Sequence, residues 1–173
     1  MLEGKNDLAP MIVVVMGVSG SGKSTIGKML ATALNCSFQE GDALHSAANI
    51  AKMSRGTPLT DEDRRPWLAA IHSLIRDFVS RGEDLVVACS ALKRQYRESL
   101  ASGVPITWVY LQASKDLIRS RLTRRTSHFM KADMLDSQFA ALEEPSDAIV
   151  ADASERPDVI VGRILELLPQ PRA

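Results

Sequence analysis

The sequence predicts an α/β domain of three layers, a parallel sheet with helices on both faces. Three observations carry that expectation. Met11-Ile-Val-Val-Val-Met16 is an unbroken apolar, β-branched run, the composition of a strand buried on both faces and central in its sheet. Gly17-Val-Ser-Gly-Ser-Gly-Lys-Ser24 follows at once and leads into a segment of helical period, so strand, glycine loop and helix stand in order. Further strand-like segments then alternate with helical sequence, the pattern of parallel strands joined by crossover helices. With 173 residues, the whole chain, 1–173, reads as a single domain.

Taken in order, the first helix is expected from Lys23 to Leu34, with Ile26, Met29, Leu30, Ala33 and Leu34 at helical spacing. A second strand covers Ser37 to Glu40. An insert of about 43–82 follows, in which Thr60 caps a helix opened by Asp61, Glu62 and Asp63 and closed near Arg81-Gly82. Strands are expected at Asp84 to Cys89, Ile106 to Leu111 and Ala148 to Ala151. A helix from Ser114 to Arg125 runs into Thr126-Ser-His-Phe-Met-Lys-Ala-Asp133, a polar stretch that breaks the apolar period and reads as a mobile flap within a lid of about 121–142. The last helix, Glu155 to Leu168, ends at the proline-rich Pro169-Gln-Pro171. No internal repeat or low-complexity segment interrupts the chain.

Composition excludes several classes. Apolar residues make up 45% and charged residues 24%, ordinary for a globular protein. Lys and Arg number 21 and so do Asp and Glu, so the overall field gives no reason to expect nucleic acid or an anionic membrane as partner. No apolar run approaches the roughly 18 residues that cross a bilayer, and the leader lacks the apolar core of a signal peptide, so a cytoplasmic location is expected. Cys36 and Cys89 show no C-x-x-C spacing and no nearby metal ligands, and are expected to be inert buried thiols.

The glycine loop satisfies G-x-x-x-x-G-K-[ST] at every fixed position, after a strand and before a helix. Such a loop turns backbone N–H groups inward around phosphates, and the helix N-terminus adds partial positive charge. Gly17, Val18, Ser19, Gly20, Ser21, Gly22, Lys23 and Ser24 are therefore expected to bind ATP, with Lys23 at the β- and γ-phosphates and the Ser24 hydroxyl on Mg2+. Thr25 is either a helper at the α-phosphate or a plain helix residue. The N-K-x-D and D-x-x-G strings of GTPases are absent, and the apolar strands at 84–89 and 108–111 end without the acid of a motor ATPase. A small-molecule kinase remains, which needs a carboxylate near the loop, an acceptor pocket and a closing flap. Asp42, in Glu40-Gly41-Asp42 at the end of the second strand, is the candidate general base, with a turn aspartate beside Gly41 as the alternative. Glu40 reads only as a strand-end residue.

Several strings resemble bacterial gluconokinases: Gly41-Asp42-Ala-Leu-His45; Asn49-Ile-Ala-Lys52-Met53; Gly56-Thr-Pro58-Leu59-Thr-Asp61-Glu-Asp63-Arg64-Arg-Pro66-Trp67-Leu68; Cys89-Ser90-Ala91-Leu92-Lys93 with Tyr96-Arg97; Arg121-Leu122 with Arg125; His128-Phe129; Ser137-Gln138-Phe139; and Leu142-Glu143-Glu144-Pro145. The likeness runs from about residue 12 to about residue 165. The phosphate loop is shared by many families, whereas these other strings are distinctive. Ser46 departs from the pattern, which has proline after the histidine. The resemblance implies a P-loop kinase fold of the nucleoside-monophosphate-kinase type, with a five-stranded parallel sheet, a lid and an acceptor-binding insert. It also implies phosphorylation of D-gluconate by ATP to 6-phosphogluconate, with Mg2+, in the cytoplasm, by a homodimer.

Gluconate presents one carboxylate and a row of hydroxyls, so its pocket should combine a cation or two with neutral hydrogen-bonding groups. Arg64 is a candidate for the carboxylate, or else an exposed helix partner of Asp61. His45 is a candidate hydroxyl contact or a structural residue, and Ser90 and Lys93, leaving a central strand, are candidate acceptor or phosphate contacts. Arg121 and Arg125 lie four apart on one helix face, one expected to cover adenine and the other to meet the transferred phosphate. His128 and Gln138 are candidate lid or acceptor contacts. Two alternatives stand beside this reading. Shikimate kinase has the same architecture but expects a glycine run where this chain has Cys89-Ser90-Ala91, and a nucleotide-binding module would lack turnover.

Overall fold

Hydrophobic patterning along β1 (Ile12–Met16) decides where the rest of the chain packs. A computed structural model describes residues 9–124 and 132–169. β1 lies in the middle of a sheet completed by β2 (Ser37–Glu40), β3 (Leu85–Ala88), β4 (Thr107–Gln112) and β5 (Ile149–Asp152), in the order β2-β3-β1-β4-β5 with every neighbouring pair parallel. Side chains alternate across a strand, so Ile12, Val14 and Met16 join Trp67, Ile71, Ile75 and Trp108 in one core. Val13 and Val15 join Ile26, Leu30, Val109, Ile160 and Ile164 in another on the opposite face. Both faces being covered, the run has no polar position, as the sequence predicts.

The helices account for that covering. α1 (Lys23–Leu34) starts on Gly22, whose φ is 103°, and stops on Asn35, a left-handed residue at φ 52°. α2 (Ala47–Ser54) was not expected as a helix; it is capped by Ser46, whose hydroxyl accepts the Asn49 N–H at 3.2 Å. The serine that departs from the resembling pattern thus does the work of a helix N-cap. α3 (Asp61–Arg81) follows the predicted bounds, with a reciprocal capping box between Thr60 and Asp63 and Gly82 at φ 69° as its stop. α4 (Arg94–Leu100) and α5 (Lys115–Arg124) follow β3 and β4.

α6 (Ala132–Ala141) includes residues expected in the flap; the remaining flap positions, 126–131, lie outside the described residues. α7 (Pro157–Leu167) begins two residues later than expected because proline suits the first helical position and holds Arg156 extended before it. Val18, Leu92, Ile118 and Leu135 form a third apolar cluster that packs α5 and α6 onto the glycine loop. Among the described residues no helix is long and apolar enough to cross a membrane.

Candidate active site

At the C-terminal ends of β1, β2 and β3 the chain encloses a cavity of about 620 Å³. Ligands of open parallel sheets collect at this edge. Its floor is the loop after β1 and the first turn of α1: Ser19, Gly20, Gly22, Lys23, Ser24 and Thr25. Opposite stand Glu40, Asp42, His45, Arg64 and Ser90, and α6 closes one side with Ser137 and Gln138.

On the floor, Lys23 turns back so that its ammonium donates to the Val18 carbonyl at 3.0 Å. Burial lowers its pKa, while the nearby Asp42, Cys89 and Glu40 act in the opposite sense. The Ser24 hydroxyl donates to the Glu40 carboxylate, which leaves the serine lone pairs facing away from that bond. Val18 and Ser21 are buried behind the surface, and Gly17, whose φ is 147°, has no room for a side chain: a Cβ there would lie 2.9 Å from the Leu111 carbonyl oxygen. Carbonyls of a loop whose N–H groups turn inward must point outward, and Arg121 meets them. Its guanidinium donates to the Gly20 and Ser21 carbonyls at 3.3 and 3.2 Å and to the Ala153 carbonyl.

The opposite wall depends on Gly41. A Cβ at this position would sit 2.5 Å from the Ala88 carbonyl oxygen, so only glycine lets the chain press on β3 and turn Asp42 toward the loop. The Gly41 carbonyl accepts Trp67 Nε1–H at 2.8 Å, and the His45 ring stacks on the same Trp67 at 4.2 Å between centroids and 13° between planes. Burial lowers the pKa of His45, which favours the neutral imidazole. α2 is stapled to the start of α3 by Asn49 donating to the Asp63 carbonyl at 2.8 Å and by a 2.7 Å ion pair of Lys52 with Asp63. Arg64, one residue on, donates to the Leu59 carbonyl at 2.6 Å and lies over the Tyr96 ring with its guanidinium carbon 5.7 Å from the centroid. One cation, one imidazole and two carboxylates, those of Glu40 and Asp42, thus face a phosphate loop across one cavity.

A chain from Gluconobacter oxydans named gluconokinase is 48% identical over 94% of this chain and 94% of its own length. This chain belongs to the gluconokinase family. A family model described as an AAA domain matches residues 12–145. The solved gluconokinase from Sinorhizobium meliloti superposes with a TM-score of 0.81 at 44% identity, covering 92% of this chain and 91% of that one. A sugar kinase from Janibacter sp. gives 0.87, also at 44% identity, covering 92% and 94%. The fold is that of P-loop kinases, and the chain is a nucleotide-binding kinase of this family.

Within the family fold, the predicted residues divide. Ser19, Gly20, Gly22, Lys23, Ser24, Thr25, Asp42, His45, Arg64, Ser90 and Gln138 line the cavity together. Lys93 does not: its ammonium pairs with Asp61 at 2.8 Å, because the loop after β3 delivers it to the acidic first turn of α3. Asp61 is therefore the partner of Lys93, Gln95 and Tyr96 rather than of Arg64, which correspondingly faces the cavity. Arg121 is not an uncommitted cation, since loop carbonyls occupy its donors. Arg125 and His128 lie outside the described residues. Cys89 is buried and its thiol is pushed up to about 12 by burial, whereas Cys36 is only half-buried. Glu40 is the residue that sequence reading undervalued. The available signal was its place at the end of a strand two residues before Asp42, beside a loop serine.

Proposed function

We propose that the chain transfers the γ-phosphate of ATP to D-gluconate, giving 6-phospho-D-gluconate and ADP. The observation that supports it best is the single cavity in which a phosphate loop faces Asp42, His45 and Arg64, in a chain 48% identical to a gluconokinase. In this reading the inward N–H groups of the loop and Lys23 hold the β- and γ-phosphates. Arg64 pairs with the gluconate carboxylate through its planar fork, and His45 and Ser90 bond the hydroxyls. Asp42 takes the proton of the attacking hydroxyl as its oxygen bonds to the γ-phosphorus and the bond to the ADP oxygen breaks.

The donor set fits Mg2+, a hard cation that takes one or two protein oxygens and completes its shell with phosphates and water. Ser24 would hold it, with Glu40 orienting the serine hydroxyl. Bound there, Mg2+ supplies charge neutralisation between the phosphates. The family likeness further supports a homodimer in the cytoplasm, whose size light scattering would measure.

The test is ADP release with ATP and Mg2+, with and without gluconate. Release that requires gluconate, and an Arg64→Ala variant whose gluconate KM rises by about tenfold or more, are expected for a lost charge-assisted pair. Equal release with and without gluconate refutes the reading.

A further inference from the structure

One peptide unit of the phosphate loop is gripped from both sides. The Ser19 N–H donates to Gln138 Oε1 at 2.6 Å, and the carbonyl of the same peptide, that of Val18, accepts Lys23 Nζ at 3.0 Å. The Val18 side chain is buried against Leu135, one helical turn before Gln138 on the same face of α6. Thus α6 meets this peptide with an apolar contact and a hydrogen bond while Lys23 meets it from the cavity floor. Hydrogen bonds at the two ends of a peptide polarise one another, so the Gln138 contact strengthens the carbonyl that receives the ammonium. An ammonium has three donors, and one of them held by Val18 leaves two for phosphate oxygens.

We propose that Gln138 is a positioning residue for Lys23: from α6 it fixes the Val18–Ser19 peptide, and through it the direction in which the lysine meets phosphate. This assigns Gln138 to the nucleotide side of the cavity, not to the acceptor. The inference rests on the loop being the phosphate site, but not on gluconate being the acceptor. Without the glutamine oxygen the Ser19 N–H has no acceptor among the described residues, and the peptide rotates toward water, taking the Val18 carbonyl from Lys23. Nucleotide binding must then reverse that rotation, and its cost appears in Kd.

The experiment is calorimetric titration of wild type and Gln138→Leu with Mg-ATP and with Mg-ADP, no acceptor present, beside steady-state kinetics with gluconate. Weaker binding of both nucleotides by about tenfold is expected, with a gluconate KM within about twofold of wild type. Gln138→Glu keeps an acceptor oxygen and is expected to restore ADP binding more fully than ATP binding, since its charge lies near the terminal phosphate. Unchanged nucleotide affinities with a raised gluconate KM would overturn the proposal and make Gln138 an acceptor contact. Should the leucine variant not fold, amide hydrogen exchange on the wild type decides instead. Slow exchange of the Ser19 amide in the nucleotide-free protein is expected, and exchange at the rate of an open loop overturns the proposal.

Discussion

Asp42 and Ala91 show how one residue's backbone settles what its side chain can do. Asp42 reaches the cavity because Gly41 has no Cβ to strike β3, and an aspartate with only a turn to make would not need that approach. Asp42→Asn is expected to lower kcat by roughly 10²-fold or more with little change in ATP affinity, the usual size of general-base help. Pre-steady-state kinetics and nucleotide titration check the two halves. Ala91 sits at φ 44° with its side chain fully buried, its carbonyl held by the guanidinium of Arg97 at 2.9 Å. A left-handed alanine costs about 1–2 kcal/mol, and glycine would relieve it while losing a similar amount to chain entropy and the missing methyl. Ala91→Gly is therefore expected to stay within about 1 kcal/mol of wild type, whereas Ala91→Val should destabilise by more than about 2 kcal/mol in urea unfolding. The loop signature made Lys23 and Ser24 legible without any structure. The pairing of Lys93 with Asp61 was not legible, because the choice of cation for Asp61 depends on where the loop after β3 meets α3.

Elements whose ends carry their own signals were read almost to the residue, and those whose ends depend on contacts were not. α3 has the Thr60–Asp63 box at one end and Gly82 at the other, both local devices, and its predicted bounds hold. α2 and α4 are short, with little room for period to show; α2 does carry a local signal in its Ser46 cap, but its place is set by contacts with α3 such as that of Asn49 with the Asp63 carbonyl. The same reasoning gives Thr60→Ala a defined effect. It removes the acceptor of the Asp63 N–H, at 3.1 Å, and is expected to destabilise the fold by about 1 kcal/mol. Because Asp63 also holds Lys52, the staple between α2 and α3 should loosen, and the gluconate KM should rise while nucleotide affinity stays put. A fall in melting temperature with no change in KM would show that the cap serves α3 alone.

Across the whole molecule, the apolar face of α3 anchors it to the sheet, and groups that acid can release add to that hold: Asp61 ties α3 to the start of α4, and Asp63 ties α2 to α3. Asp61, on α3, reaches across to Lys93, Tyr96 and Gln95; these bonds, that of Lys93 foremost, hold its carboxyl at about 2. Asp63 is likewise held at about 2, first by Lys52 and then by the Thr60 N–H. The sign follows from linkage. A carboxyl whose pKa is lower folded than unfolded stabilises the fold above its unfolded value, about 4, and loses that contribution as pH falls toward its folded value. Asp61 is exposed and Asp63 only half-buried, so salt screens each pair and neither is a large term alone. The comparison that isolates them is wild type against Asp61→Asn, melted by circular dichroism from pH 7 to pH 2 at low salt. The variant is expected to melt lower by a constant margin at pH 5 to 7, with the gap narrowing below pH 4 and closing near pH 2. Added salt should shrink the margin at neutral pH. A gap that persists unchanged at pH 2 would mean that the aspartate stabilises through shape and not through charge, and that the insert is not held by these ion pairs.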